Sequence, residues 1–308
     1  MRRIVAAGVL AVLAVSGDAR ATPGFDVERF DPSERGSTWF AADSLDLRGR
    51  ARSPIGIVLG WEKKPLVVTD QSGSTRTAIV SDVVSLHLGR AWIFRDRFRL
   101  AIDVPIVPYT QGHPADLRGV HFDPPDHDQT IGDIRFSADA RIFGKYGEAM
   151  TGALGFELAL PTGWPGDYTS DGSVRFTPRA LVAGKSGMFT WAAKVGFAIR
   201  DTDAPDFGGA SIGSELVFAG AAGVRLVDGR LTVGPELLGG TVLKHDAFET
   251  RTTPVEGLLG AHFDVRGGLR VGAGAGTGVV SGYGSPAFRL LASLEWVPPY
   301  VEPPPPPP

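Results

Sequence analysis

The chain has 308 residues, a net charge of -3 with acidic and basic groups interspersed, and no cysteine. That balance lacks the basic footprint of a nucleic-acid binder, and the missing thiols exclude disulfides, thiolate metal sites and a cysteine nucleophile. Glycine at 41 and proline at 24 suit many strands joined by turns.

Arg2 and Arg3 precede an apolar run from Ile4 to Val15, and Ala19-Arg20-Ala21 follows. A charged n-region, a short h-region and a small-residue cleavage site predict a secretory signal over 1–21. The run is short for a membrane span of about 20 residues. No later segment reads as a transmembrane helix, so entry into a membrane would be through strands. Residues 22–52 have no clear period; their aromatics fit a docked periplasmic leader or a plug, and a disordered leader fits the missing period equally well.

From Ser53 to Val297 the chain alternates. In Ile131–Phe143, Ile134, Phe136, Ala138, Ala140 and Ile142 fall on one side and Asp133, Arg135, Ser137, Asp139 and Arg141 on the other. Successive strand residues point to opposite faces. Such a face pair fits either a half-exposed sheet or a membrane barrel with lipid outside and a wet lumen. About twelve such strands are predicted. Links after even strands are short, such as Arg95-Asp96, Lys185 to Gly187 and Asp228-Gly229. Links after odd strands are mostly longer and polar: Glu62 to Thr77, Gln111 to Thr130, Gly163 to Ser173, Asp201 to Ser211 and Lys244 to Pro254. Sorting of this kind marks an up-and-down transmembrane β-barrel. Aromatics fall in two groups as interfacial belts would. Trp92, Phe94, Tyr146, Trp191 and Trp296 sit near the short turns. Trp61, Tyr109, Trp164, Tyr168 and Tyr283 sit near the long links.

The fold class is therefore all-β, with the barrel over 53–297 and a proline-rich tail over 298–308. An even strand number predicts both termini on the periplasmic side. The inward faces carry Arg97, Arg99, Arg135, Arg141, Arg175, Arg179, Lys194, Arg200, Arg225, Arg266 and Arg289. Mixed with them are Asp103, Asp133, Asp139, Glu157, Glu215, Glu236, Asp264, Glu295 and the lumen-facing His87 and His262. These would line a pore and bias it toward anions, or pair with neighbouring strands and fill it. One wall is smooth: Gly272, Gly274, Gly276 and Gly278 share a face, as do Ala219, Ala221 and Gly223. That wall predicts either a narrow channel or a seat for the leader.

The Phe30-Asp31-Pro32-Ser33-Glu34-Arg35-Gly36-Ser37 leader, Ile131-Gly132-Asp133-Ile134-Arg135, and Leu160-Pro161-Thr162-Gly163 before a Gly/Asp-rich loop resemble a group of Gram-negative outer-membrane barrels. These are the barrel regions attached to OmpA-family proteins, and the chain is also similar to MetA-type barrels linked to phenol degradation. The resemblance implies an outer-membrane barrel. It supplies no peptidoglycan-anchoring residues to carry over.

The loop holding His113, Asp116, His121, Asp123, Asp126, His127 and Asp128 matches no fixed metal spacing, and Asp167 to Ser173 lacks the closing Glu of an EF-hand. They read as solvated loop and turn chemistry, so no metal and no cofactor is expected. No motif ties a serine to a histidine, which leaves no catalytic site and predicts that the chain is not an enzyme. The expected role is a structural barrel or a narrow porin-like channel for small polar solutes, monomeric and surrounded by outer-membrane lipid. A periplasmic or peptidoglycan partner is expected for the tail. The alternatives are a transporter of small hydrophobic molecules, which needs an apolar lumen pocket or a lateral opening, and a barrel enzyme.

Overall fold

Alternation of apolar and polar residues commits each stretch to one strand face toward hydrocarbon and one toward the interior. In hydrocarbon every backbone N–H and C=O must be paired, which only a closed ladder achieves with strands. The computed structural model describes residues 25–69, 75–117, 120–200, 212–243 and 247–301. The signal-like stretch, the final proline run, Ser211 and His245 lie outside the described residues.

Twelve long strands form the wall: β1 (Ile55–Thr69), β2 (Thr75–Phe94), β3 (Phe98–Gln111), β4 (Ile134–Phe143), β5 (Thr151–Leu160), β6 (Arg175–Ser186), β7 (Phe189–Arg200), β8 (Glu215–Leu226), β9 (Leu231–Val242), β10 (Val255–Asp264), β11 (Leu269–Val280) and β12 (Phe288–Trp296). Each pairs antiparallel with its sequence neighbour, and β12 closes on β1 with Phe288 opposite Lys63 and Trp296 opposite Ile55. The barrel is thus closed, antiparallel and twelve-stranded. Outward positions are apolar: β12 exposes Phe288, Leu290, Leu294 and Trp296 and buries Arg289, Leu291, Ser293 and Glu295.

Two stretches depart from the sequence reading. The link expected over Glu62 to Thr77 is mostly strand, because β1 runs on to Thr69 and β2 starts at Thr75. The β1–β2 register shifts between Lys63 and Leu66, where Lys64 takes φ 54°. A shift of this kind re-aims the strand, and Leu66 and Val68 then face inward and are buried. The strand expected from Ile131 is broken as well. Thr130–Ile131 pairs briefly with β3, and β4 begins at Ile134. Asp133, at the break, accepts the Gly163 N–H.

The belts also differ. Trp92, Trp296, Tyr109 and Trp164 are exposed as expected, whereas Tyr168 is buried and Tyr283 packs against the same cluster. Tyr146 lies under the Arg48 guanidinium, 4.3 Å from its ring centre. These three rings hold the N-terminal segment and do not face lipid.

Candidate functional site: a lumen filled by the chain's own N-terminal segment

Residues 25–50 have no strand or helix of their own, yet Phe25, Phe30, Trp39, Phe40, Ala42, Leu45 and Leu47 are each at most 2% exposed. The only place that hides so much apolar surface in this fold is the barrel interior. Contacts order the segment along the axis. Phe25 meets the rings of Tyr168 and Tyr283 in the long links. At the other end, Asp96 in the first short turn accepts the Gly49 N–H, and Ala51–Arg52 pairs with β2 at Phe94 and Ile93. The segment therefore threads the lumen from the long-link end to the short-turn end. Tyr300 lies at the short-turn end beside Arg48. Phe25 and Tyr300 are thus at opposite ends of the lumen, while the two termini, expected on the periplasmic side, lie outside the described residues. An apolar seat among Val27, Val80, Val107, Phe122 and Ile212 holds Phe25 at the long-link end.

The small-residue wall is the steric reason the segment fits. A β-carbon on Gly274 or Gly260 would lie 2.9 or 3.0 Å from the Phe40 ring, and one on Gly223 would lie 2.9 Å from Trp39. Around these rings the inward faces are apolar. Ala153, Leu181, Ala183, Ala192 and Ala221 pack on Trp39, Ala42 and Leu45, while Val58, Leu238, Leu258 and Leu291 join Phe30 and Phe40. The sequence reading stressed inward charges and missed this second core. Its signal was present, since Leu181 and Ala183 continue the face of Arg175, Thr177 and Arg179.

Electrostatics sets the orientation of the segment. The inward faces of β3 to β7 carry Arg99, Arg135, Arg175, Arg179, Lys194 and Arg200 against Asp103, Asp139 and Glu157. Those of β8 to β12 and β1 carry Glu215, Glu236, Glu256, Glu295 and Glu62 against Arg270 and Arg289. A cationic wall thus faces an acidic one, and the segment's acids meet the cations. Asp26 meets Arg175 at 3.3 Å, Asp31 meets Arg135 and Lys194 at 2.5 and 2.8 Å, Glu34 meets Arg179 at 2.8 Å, and Asp43 meets Arg99 at 2.7 Å. On the acidic side Glu215 takes Arg29 at 2.7 Å, and Glu295 accepts the Gly36 N–H. The Glu236 carboxylate accepts the N–H groups of Phe40, Ala41 and Ala42 at 2.7, 2.8 and 3.2 Å. Arg270 donates to the carbonyls of Gly36 and Ser37. The wall thus satisfies several of the segment's backbone groups in place of a ladder, and the segment's own turns satisfy others.

Burial pushes Asp26 up to about 6, with Arg175 opposing. Asp171, which accepts the Asp26 N–H, is raised by burial but lowered further by Arg200 and Arg175, to about 2. Asp171 comes from the loop that reads as plain turn chemistry in the sequence.

The predicted lumen residues divide by depth. Arg99, Asp103, Arg135, Asp139, Glu157, Arg175, Arg179, Lys194, Glu215, Glu236, His262, Arg289 and Glu295 are inside, many of them bonded to the N-terminal segment and not only to neighbouring strands. Arg97, Arg141 and Arg225 sit at the short-turn rim of the barrel, with Arg141 and Arg225 half-buried there. Arg97 is exposed and donates to the Arg141 carbonyl, while Arg225 caps the Gly229 carbonyl in a short turn. Asp264 pairs with Arg270 at the same rim, and Arg266 is exposed in a turn. The reason is position: these residues lie at the strand ends and turns of the short-turn rim. His121 and His127 pair with Asp116 and Asp167 in the long links. Among the described residues no cluster of three metal-binding side chains forms.

A cavity of about 130 Å³ remains beside the segment. Its lining includes Asp31, Arg135 and Lys194, the acids Glu157 and Glu215, and the apolar Val217, Ala219 and Leu238.

No family model and no curated protein matches the chain. An outer-membrane channel from Pseudomonas putida F1 superposes over 81% of this chain and 96% of its own, at 12% identity and a TM-score of 0.57. The fold is that of the outer-membrane barrels. The NanC porin covers 78% of this barrel chain and 97% of its own, at 6% identity and a TM-score of 0.50. Outer membrane phospholipase A from Escherichia coli also matches, at 10% identity over 80% of this chain and 96% of its own, with a TM-score of 0.39. Its name is that of an enzyme. Barrel architecture does not separate enzymes from channels, so the fold gives no support to the expectation that the chain is not an enzyme, and that expectation is withdrawn.

Proposed function

We propose that the chain is an outer-membrane channel for small polar solutes whose pore is occupied at rest by its own residues 25–50. The observation that carries this reading is the route of the segment. It runs the full lumen, and side-chain and backbone polar contacts hold it to both walls. An interior that accommodates an extended polypeptide is wide enough for small solutes once the polypeptide moves. The facing cationic and acidic walls would orient such solutes across the pore. The short turns are read as periplasmic, so Phe25 would lie toward the outer face and Tyr300 toward the periplasm. A monomer surrounded by lipid, a periplasmic or peptidoglycan partner for the tail, and the finer likeness to OmpA-linked or MetA-type barrels belong to the same proposal.

A second reading, passage of small hydrophobic molecules, is favoured by the apolar cluster of Phe25, Leu66, Val68, Ile79 and Val107 at the long-link mouth. Single-channel recording of the refolded barrel in planar bilayers, with and without residues 22–52, separates the two. Stable conductance in the shortened barrel, with rare openings in the intact one, is expected. Silence from both would overturn the polar channel and favour the hydrophobic route.

A further inference from the structure

We infer that Arg135 and Lys194 form a binding site for a small organic carboxylate, with Asp31 as its built-in occupant. The Asp31 carboxylate bridges two strands, one oxygen 2.5 Å from Arg135 on β4 and the other 2.8 Å from Lys194 on β7. Its side chain is 35% exposed, whereas the segment's other ion-paired acids range from 3% for Asp43 to 18% for Glu28. Asp31 is therefore the segment's most accessible anchor, and what it faces is the cavity. Lys194 makes no other ion pair among the described residues, while Arg135 also holds Asp103 at 2.5 Å.

The exchange is electrically neutral. An incoming carboxylate takes the place of the departing one, so neither buried cation is left uncompensated, which would be costly. A neutral amide or a cation offers no such replacement. The apolar residues in the cavity lining, Val217, Ala219 and Leu238, favour a compact hydrocarbon body on the carboxylate. Displacing Asp31 removes one of the segment's anchors between its Phe30 and Phe40 seats, where Glu34 and Gly36 still hold it. The link between ligand and opening rests on the channel reading, but the binding site itself does not.

The test uses the refolded chain in detergent with butyrate as probe and butyramide as its uncharged counterpart, followed by titration calorimetry. Butyrate is expected to bind saturably and butyramide not to bind. Asp31→Asn removes a tethered competitor whose effective concentration is of millimolar order, so butyrate should bind at least about tenfold tighter. Lys194→Gln in the Asp31→Asn background should weaken binding by about tenfold or more. Equal binding of butyramide, or unchanged butyrate affinity in Asp31→Asn, would overturn the site. If Lys194→Gln does not fold, the Asp31→Asn comparison alone decides. Bilayer recordings on the same samples keep the two readings apart. Butyrate binding with a silent shortened barrel sinks the channel and leaves the site, whereas conductance without butyrate binding sinks the site alone.

Discussion

The Glu236 carboxylate takes three consecutive backbone N–H groups from a stretch that has no ladder of its own. Hydrogen bonds to a charged acceptor are worth about 1.5–3 kcal/mol each, and their loss leaves buried donors unpaired. Water entering the space left by the carboxylate offsets part of these bonds, so Glu236→Ala should loosen Phe40 to Ala42 by a net of about 1–3 kcal/mol. The cysteine-free background makes this measurable, since Ser44→Cys places a lone thiol at a buried position. Maleimide should reach it roughly 5- to 150-fold faster in the Glu236→Ala barrel, and an unchanged rate would refute the anchoring role. Gly274→Val tests the steric half of the same seat. Its new β-carbon would fall 2.9 Å from Phe40, so the segment should be pushed off by about 1–3 kcal/mol, with thiol labelling faster again. At this scale the sequence revealed parity but not partners. The inward position of Glu236 followed from alternation, and the glycine wall was visible as a smooth face. That three N–H groups 194 to 196 residues away would end at Glu236 is a long-range fact no local period encodes.

The N-terminal segment is an element without secondary structure, and its upper end is held differently from its middle. Around Asp26, burial raises the carboxyl to about 6 from an ordinary 3.8, despite Arg175. Between those values the folded form binds more protons than the unfolded one. Stability from this group is therefore complete below about pH 4 and is lost as pH rises through 6. The seat of Phe25 and Val27 should accordingly be firmer at pH 5 than at pH 7.5. Thiol labelling of Val27→Cys, corrected for the reagent's own pH dependence, should accelerate across that window. Asp26→Asn should abolish the acceleration, and a pH response surviving that substitution would count against this origin. Strand existence and order were legible because an uninterrupted period of two admits one geometry. The bulge at Lys64 was not, since it depends on the β1–β2 register, and a run of Glu, Lys and Lys looks like a loop until Leu66 and Val68 are seen to need burial. The route of residues 25–50 was equally hidden, because an irregular segment carries aromatics without a period to say where they go.

At the scale of the whole molecule the barrel has two apolar environments, lipid outside and a second core within the lumen. Backbone pairing around the wall is complete without the N-terminal segment, so a chain lacking residues 22–52 should still close its ladder and keep its strand signal in circular dichroism. Its interior would differ. Leu181, Leu238, Leu258 and Leu291 would face water where they now face Trp39, Phe30 and Phe40. Arg99, Arg135 and Arg179 would lose their carboxylate partners on the segment. Burying one large apolar side chain contributes about 1.5–3 kcal/mol, offset by the entropy of ordering the segment. A net loss of a few kcal/mol, at about 2–4 °C each for a chain of this size, lowers the midpoint by on the order of 10 °C. Heating the intact and shortened barrels in the same detergent checks this. A shortened barrel that melts with the intact one would mean that the segment adds occupancy without cohesion, and its departure would then be easy. A shortened barrel that melts on the order of 10 °C lower would mean that the segment adds cohesion, of which a carboxylate at Arg135 and Lys194 replaces the one ion-paired anchor at Asp31 while the apolar seats still oppose opening.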